Sequence, residues 1–343
     1  VPCQAQRNWE AGVRTHYGYL WPHRPSSWIL VEGHAPAVEV FTERQVSGKQ
    51  AWHTYYAMPF YGIGVLYGTM ANPERIGTCV RIFPYTHLPV RNWKHGQLGF
   101  RLGWGVGYVA KPFNRRDNLK QIAIGSRINT AIQFMPEVRI TLGGWRIHAG
   151  VGLDHWSNGS FKLPNLGLNY LSANLAASYG LGKPRAAQRT NATAIDTSRH
   201  REWSVVGAFG VNEAARPLSG QFAAFSVVAQ HQWRITPKSL LMAGADLFNK
   251  GSLMTIRPEL RGRERLELTQ VAAHGGYALL FGQGELFFHM GAYVYTPAPD
   301  EAMVFHRLGV RYRTGRHLIW NVALKSHFAV ADHWEFGVGY RWN

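Results

Sequence analysis

Apolar and polar side chains alternate with a period of two along almost the whole of this chain. In Trp334-Glu335-Phe336-Gly337-Val338-Gly339-Tyr340-Arg341-Trp342 the even positions are large and apolar. The odd positions are Glu, Gly, Gly and Arg. Successive side chains of an extended strand point to opposite faces, so the two sets occupy opposite sides. Residues 318–327 repeat the pattern, with Leu318, Trp320, Val322 and Leu324 against Asn321, Lys325 and His327. So do residues 122–134, with Ile122, Ile124, Ile128, Ile132 and Phe134 against Arg127, Asn129 and Gln133. The 3.6-residue period of an amphipathic helix is nearly absent, so the fold is all-β.

Two architectures place alternating sets on many strands. A soluble sandwich turns its apolar face inward, and a membrane barrel turns it toward lipid. The polar face here is rich in Gly, Asn, Arg and Glu, as the interior of a membrane barrel is. Aromatics such as Trp334 and Trp342 close the apolar stripes, in the manner of an interfacial girdle. The alternating segments run to about 10 residues or more, the length of a tilted spanning strand. These features predict an antiparallel transmembrane β-barrel. A soluble sandwich lectin would instead bury the odd face of residues 145–157. An apolar content of 46% excludes a disordered chain, and two cysteines in 343 residues exclude a disulfide-stapled fold. No apolar run reaches the ~18 residues of a spanning helix.

The strands are expected at 8–20, 28–40, 53–68, 78–86, 97–109, 122–140, 145–157, 168–181, 202–214, 221–234, 238–248, 267–280, 285–295, 303–312, 317–327 and 332–342. That makes about 16 strands, or 12–14 if short ones merge, an even number in each case. Tight connections at Thr236-Pro237, Phe281 to Gly284 and Arg313 to Arg316 belong to the periplasmic side. Longer polar ones at 110–121 and 249–266 belong outside. The long connection 183–201 conflicts with this scheme, because it should be periplasmic. Residues 6–182 are therefore read as the barrel half that carries the site. Residues 183–343 are read as further strands of the same barrel, with a second eight-strand unit as the other reading. Val1-Pro2-Cys3-Gln4-Ala5 resembles the end of a signal peptide, with small residues before a cut after Ala5. That implies export, and it leaves Cys79 unpaired. The net charge of +17 comes from basic residues scattered through polar connections, with no stripe for nucleic acid. Anionic lipid head groups suit that distribution.

Chemistry concentrates between Trp145 and Leu181. The apolar odd face of 145–157 reads Trp145, Ile147, Ala149, Val151, Leu153, then His155 and Ser157. Residues i and i+2 share a face, so an imidazole and a hydroxyl stand together at the edge of the lipid-facing stripe. Such a pair is the minimal nucleophile and general base. After the turn Asn158-Gly159-Ser160-Phe161-Lys162-Leu163-Pro164-Asn165, Asn169 heads the apolar face of the returning strand. A third group beside the imidazole would fix its tautomer. Asn165 and the backbone amides of Asn158 and Gly159 are candidate oxyanion donors. Asp154 points inward by alternation.

His155-Trp156-Ser157-Asn158-Gly159, followed by Pro164-Asn165-x-Gly167-x-Asn169, resembles the active-site signature of the outer-membrane lipid A 3-O-deacylases, also called acyloxyacyl hydrolases. Ile124-Gly125-Ser126 adds to the likeness. The resemblance covers about residues 1–182, and its specific motif only 155–169. It implies a serine esterase in the bacterial outer membrane acting on lipid A, with His155 as base, Ser157 as nucleophile, Asn169 in the orienting position and Asn165 as an oxyanion donor. The departure lies at Asn169, where the resembled enzymes carry Glu; an amide orients an imidazole but stabilises its cation less.

The expected function is hydrolysis of an acyl ester of lipid A or a related acylated glycolipid, by a monomer, with acyl chains against Leu153 and Leu171. The named residues require no cofactor. The other function considered is a non-enzymatic porin-like or structural barrel with a degenerate site. Gly103-x-Gly105-x-Gly107 lies within a strand and is no nucleotide loop. The 16 histidines show no metal-ligand spacing. Asn191-Ala192-Thr193 is a glycosylation sequon without meaning in a bacterium.

Overall fold

A computed structural model describes residues 9–182, 201–299, 302–328 and 330–342. The proposed signal remnant at 1–5, the connection 183–200 and the sequon at Asn191 lie outside the described residues. Alternation becomes strand almost everywhere. The first eight strands are β1 (Trp9–Leu20), β2 (His34–Gln45), β3 (Phe60–Gly68), β4 (Cys79–Trp93), β5 (Gly96–Val109), β6 (Ile128–Leu142), β7 (Trp145–Ser157) and β8 (Leu168–Leu181). The second eight are β9 (Arg201–Glu213), β10 (Gln221–Thr236), β11 (Ser239–Lys250), β12 (Thr269–Phe281), β13 (Gly284–Tyr295), β14 (Val304–Thr314), β15 (Leu318–His327) and β16 (Val330–Trp342). All neighbouring pairs are antiparallel.

The sixteen strands do not share one sheet. β8 returns to β1, pairing continuously from Trp9↔Leu181 to Leu20↔Tyr170. β16 returns to β9, from Phe336↔Phe209 to Trp342↔Trp203. The chain thus forms two closed eight-stranded barrels. The expectation that 183–343 continues the first barrel is corrected to its other reading, a second barrel. Each circle closes because eight strands enclose a space that side chains alone can fill. The misfit of the long connection after β8 follows from this, since β8 and β9 pair in different circles.

The first interior is filled by ion pairs. Glu39 faces Arg101 at 2.5 Å and His16 at 3.4 Å. Glu137 collects Arg14 and Arg139, each at 2.7 Å, and His87 at 3.0 Å. Arg81 bonds Asp154, whose carboxylate also accepts from Gln133. Arg101 lies 3.6 Å over the Tyr85 ring and Arg81 3.9 Å over Phe83. The second interior uses the same chemistry: Arg307 bridges Asp246 and Glu335, while Lys250 and Lys325 share Asp332. A buried charge is tolerated only when paired, and here the partners come from strands across each barrel. The polar faces therefore form packed plugs.

The outer faces are apolar and bare. On β7, Trp145 is 52% exposed and Val151 51%, while Arg146, His148 and Asp154 are buried. This rejects the soluble sandwich, which would cover that face. Val13, Val40, Val65, Ile82, Val106 and Leu175 extend the belt around the first barrel, and Val227, Leu247, Leu308 and Val338 around the second. A surface of this size needs lipid against it. Rings close one edge of the first belt, with Trp145 5.0 Å from Tyr179 and Trp9 6.0 Å from Tyr61. The 13 residues of β7, tilted at about 40°, span roughly 30 Å, the hydrocarbon thickness. Among the described residues no helix is long and apolar enough to cross a membrane.

Some boundaries differ from expectation. Residues 122–127 precede β6, and Ile124 is fully buried in the preceding connection rather than lipid-facing. The expected strands at 28–40 and 53–68 begin later, because a 3-10 turn occupies Pro25–Leu30 and a short helix Ala51–Tyr55.

Candidate active site

The motif residues gather where β7 ends and β8 begins. Pairing of β7 with β8 is unbroken from Trp145↔Tyr179 to Trp156↔Leu168, so the alternating faces hold to the rim. His155 and Asn169 are direct partners in this register. Both belong to the outward set, as expected from the sequence. Directly opposed side chains have Cβ atoms about 5 Å apart, and here the imidazole Nδ1 reaches Asn169 Oδ1 at 2.7 Å. An amide oxygen only accepts, so Nδ1 carries the ring proton and Nε2 is left with its lone pair. That is the tautomer a general base requires.

The Nε2 edge of the ring lies over Gly167. A Cβ on that residue would stand 2.6 Å from His155 Cε1 and 3.3 Å from Nε2. The φ of Gly167 is +82°, in the left-handed region. Its N–H donates to Ala123 O at 3.0 Å, which ties the turn to the connection before β6.

Ser157 ends the outward face of β7 and is almost completely buried beneath the turn. Its hydroxyl donates to Asn165 Oδ1 at 3.1 Å. The Asn158 N–H donates to the same oxygen at 2.9 Å. With Oδ1 so occupied, the Nδ2 of Asn165 is the end of that amide able to donate to a substrate. The Asn158 N–H, expected as an oxyanion donor, instead holds Asn165 in place. The Asn158 side chain donates to Ser126 Oγ at 2.9 Å, and Ser126 in turn donates to Ile128 O. Gly159 turns the chain at φ +64°. Leu153 and Leu171 are register partners two residues in from His155 and Asn169, both half-buried on the outward face. Among the described residues no group of His, Cys, Asp and Glu is placed to hold a metal.

The structure adds His23, which sequence reasoning did not single out. Its Nδ1 lies 2.8 Å from Asn169 Nδ2. A lone histidine in a Pro-flanked turn, 146 positions from its partner, carries no periodicity and no motif.

Two family profiles match consecutive parts of the chain. Residues 37–178 match "Lipid A 3-O-deacylase (PagL)", and residues 201–343 match "Acyloxyacyl hydrolase, C-terminal domain". The chain belongs to the lipid A 3-O-deacylase family. The match to the deacylase profile spans β2 to β8 and includes the whole His155–Asn169 motif, while the C-terminal profile spans the second barrel. Lipid A 3-O-deacylases are outer-membrane hydrolases, which accords with the bare apolar belt. No curated protein matches significantly. The chain also aligns with solved variants of the Rhodopseudomonas blastica porin. A triple mutant matches at 10% identity and a TM-score of 0.19, and a double mutant at 9% and 0.18, each over 98% of this chain and 99% of the other. Scores this low carry no structural argument.

Proposed function

We propose that the chain is a serine esterase that removes an ester-linked acyl chain from lipid A or a closely related acylated glycolipid at the membrane rim. The observation that carries this reading is the 2.7 Å contact between His155 Nδ1 and Asn169 Oδ1 on the lipid-facing side of β7 and β8. It leaves Nε2 as a base on the side where an acylated lipid resides. In this reading the Ser157 hydroxyl turns from Asn165 Oδ1 toward His155 Nε2, and Oγ bonds to the ester carbonyl carbon as its proton passes to that nitrogen. Asn165 Nδ2 donates to the oxyanion. The alkoxide leaves with the imidazole proton as the acyl–oxygen bond breaks. Water then bonds to the acyl carbon as its proton passes to Nε2; the Oγ–acyl bond breaks, Oγ takes that proton back, and the fatty acid leaves. Leu153 and Leu171 lie along the path of the acyl chain, so the ester meets Ser157 without leaving the bilayer. No step needs a cofactor or a second chain, which supports a monomer acting on lipopolysaccharide.

Mass spectrometry of lipid A tests this in a host lacking such enzymes. Expression of the wild-type chain is expected to remove one acyl group, and Ser157→Ala to leave lipid A intact. Intact lipid A beside folded wild-type protein would sink the reading. The porin-like alternative is disfavoured by the two interiors, which ion pairs fill.

A further inference from the structure

The strand on the other side of β7 from the motif brings a hydroxyl to Ser157. β6 pairs with β7 as Thr130↔Ser157, Ala131↔Trp156 and Ile132↔His155. Alternation along β6 buries Asn129, Ala131 and Gln133, so Thr130 and Ile132 face outward with Ser157 and His155. Direct partners of an antiparallel pair hold their Cβ atoms about 5 Å apart. The same relation between β7 and β8 brings Asn169 to His155. Thr130 is half-buried, and among the described residues its hydroxyl has no hydrogen-bond partner. Thr15, Thr42 and Thr86 also face outward from strands of this barrel, and each donates to a backbone carbonyl of the neighbouring strand. A hydroxyl on a lipid-facing surface is costly without a partner. Thr130 thus holds an unused donor beside the Ser157 side chain.

Acyl transfer at Ser157 creates a need for such a donor. As Oγ bonds to the ester carbonyl carbon, the π pair of the C=O bond moves onto oxygen. The resulting oxyanion is stabilised by donors already in place. The Asn158 N–H is given to Asn165 Oδ1, which leaves Asn165 Nδ2 as the donor from the turn. We propose that Thr130 is a catalytic residue whose Oγ1–H is a second donor to the oxyanion, reaching it from β6. This rests on the reading of Ser157 as nucleophile and His155 as base. The Thr130 hydroxyl keeps its proton throughout. Its hydrogen bond strengthens as charge develops and weakens again when the C=O bond re-forms and the alkoxide leaves. The branched Cβ of threonine restricts χ1, so the hydroxyl is held with little freedom to lose.

The test is lipid A hydrolysis by the full chain in mixed micelles, comparing wild type, Thr130→Val, Thr130→Ser and Ser157→Ala. Valine keeps the shape and removes the donor, whereas serine keeps the donor. Rates are taken per folded barrel, from heat-dependent gel mobility. Thr130→Val is expected to lower kcat about 100-fold with KM unchanged, the usual effect of losing one oxyanion donor. Thr130→Ser is expected to retain most of kcat. A second readout is inhibition by a long-chain alkyl trifluoromethyl ketone, whose adduct with Ser157 carries the same oxyanion. Its inhibition constant is expected to rise about 100-fold in Thr130→Val, in step with kcat, and to stay near the wild-type value in Thr130→Ser. Wild-type kcat in Thr130→Val, a change in KM alone, or equal losses in the valine and serine variants would overturn the proposal while the esterase reading stands. If wild type hydrolyses no more than Ser157→Ala, the esterase reading fails and the role of Thr130 falls with it.

Discussion

At the scale of single residues, the proposed site has Asn169 where the resemblance implies Glu, and in that reading the amide separates two jobs that one carboxylate performs together. In serine proteases an Asp-to-Asn change in the triad lowers turnover about 10⁴-fold because it leaves the histidine in the wrong tautomer. Here Oδ1 faces Nδ1 at 2.7 Å, so the tautomer is preserved and only the charge is missing. The remaining deficit is the weaker stabilisation of the imidazolium, and one unit of pKa is worth about 1.4 kcal/mol. Asn169→Glu is therefore expected to raise kcat about tenfold with little change in KM, measured on lipid A in mixed micelles. Asp154, one position from the imidazole, cannot supply this charge, because it faces inward and bonds Arg81. The sequence shows the inward direction of Asp154 and the outward direction of His155 with equal clarity. It does not show which end of the Asn169 amide turns toward the ring, since the groups around that amide come from distant parts of the chain.

Among the elements, the connections into β6 and β8 hold the reactive groups at their distances. Gly167 is the hinge of this arrangement. Its left-handed φ and the closeness of His155 Cε1 both exclude a side chain. Gly167→Ala is expected to push the imidazole off its partner, and a displacement near 1 Å costs about 100-fold in rate. The check is kcat beside the heat-dependent gel mobility that reports a folded barrel. Lost activity with unchanged mobility is the expected outcome. The strand pairing was legible in the alternation of 145–157 and 168–181. The role of 122–127 was not: its isoleucines extend the alternation of β6, yet Ile124 turns inward and Ala123 O receives the Gly167 N–H. Alternation reports a period, and a short apolar segment packed under a loop can mimic one.

For the whole molecule, closure at eight strands is the decisive event. Each barrel closes its own circle of strands through β8–β1 or β16–β9 pairing, and each pairs buried charges across its own interior. A chain ending at residue 182 and a chain starting at residue 201 are each expected to fold in detergent and show a heat-dependent shift in gel mobility. The first is expected to keep the His155–Asn169 pairing. A fragment of 9–182 that stays unfolded while the full chain folds would show that the first barrel depends on the second.

The sequence alone determined the strands, their two faces, the lipid-facing direction of His155, Ser157 and Asn169, and the family signature around them. These follow from the two-residue period of extended backbone, which is local and needs no knowledge of neighbours. Tertiary structure alone decided that sixteen strands make two circles and that His23 arrives at Asn169. Which strand edges meet depends on stagger and on the volume the interior side chains fill, and neither is written in any single strand. Because β1 meets β8, the turn that follows β1 lies beside the first residues of β8.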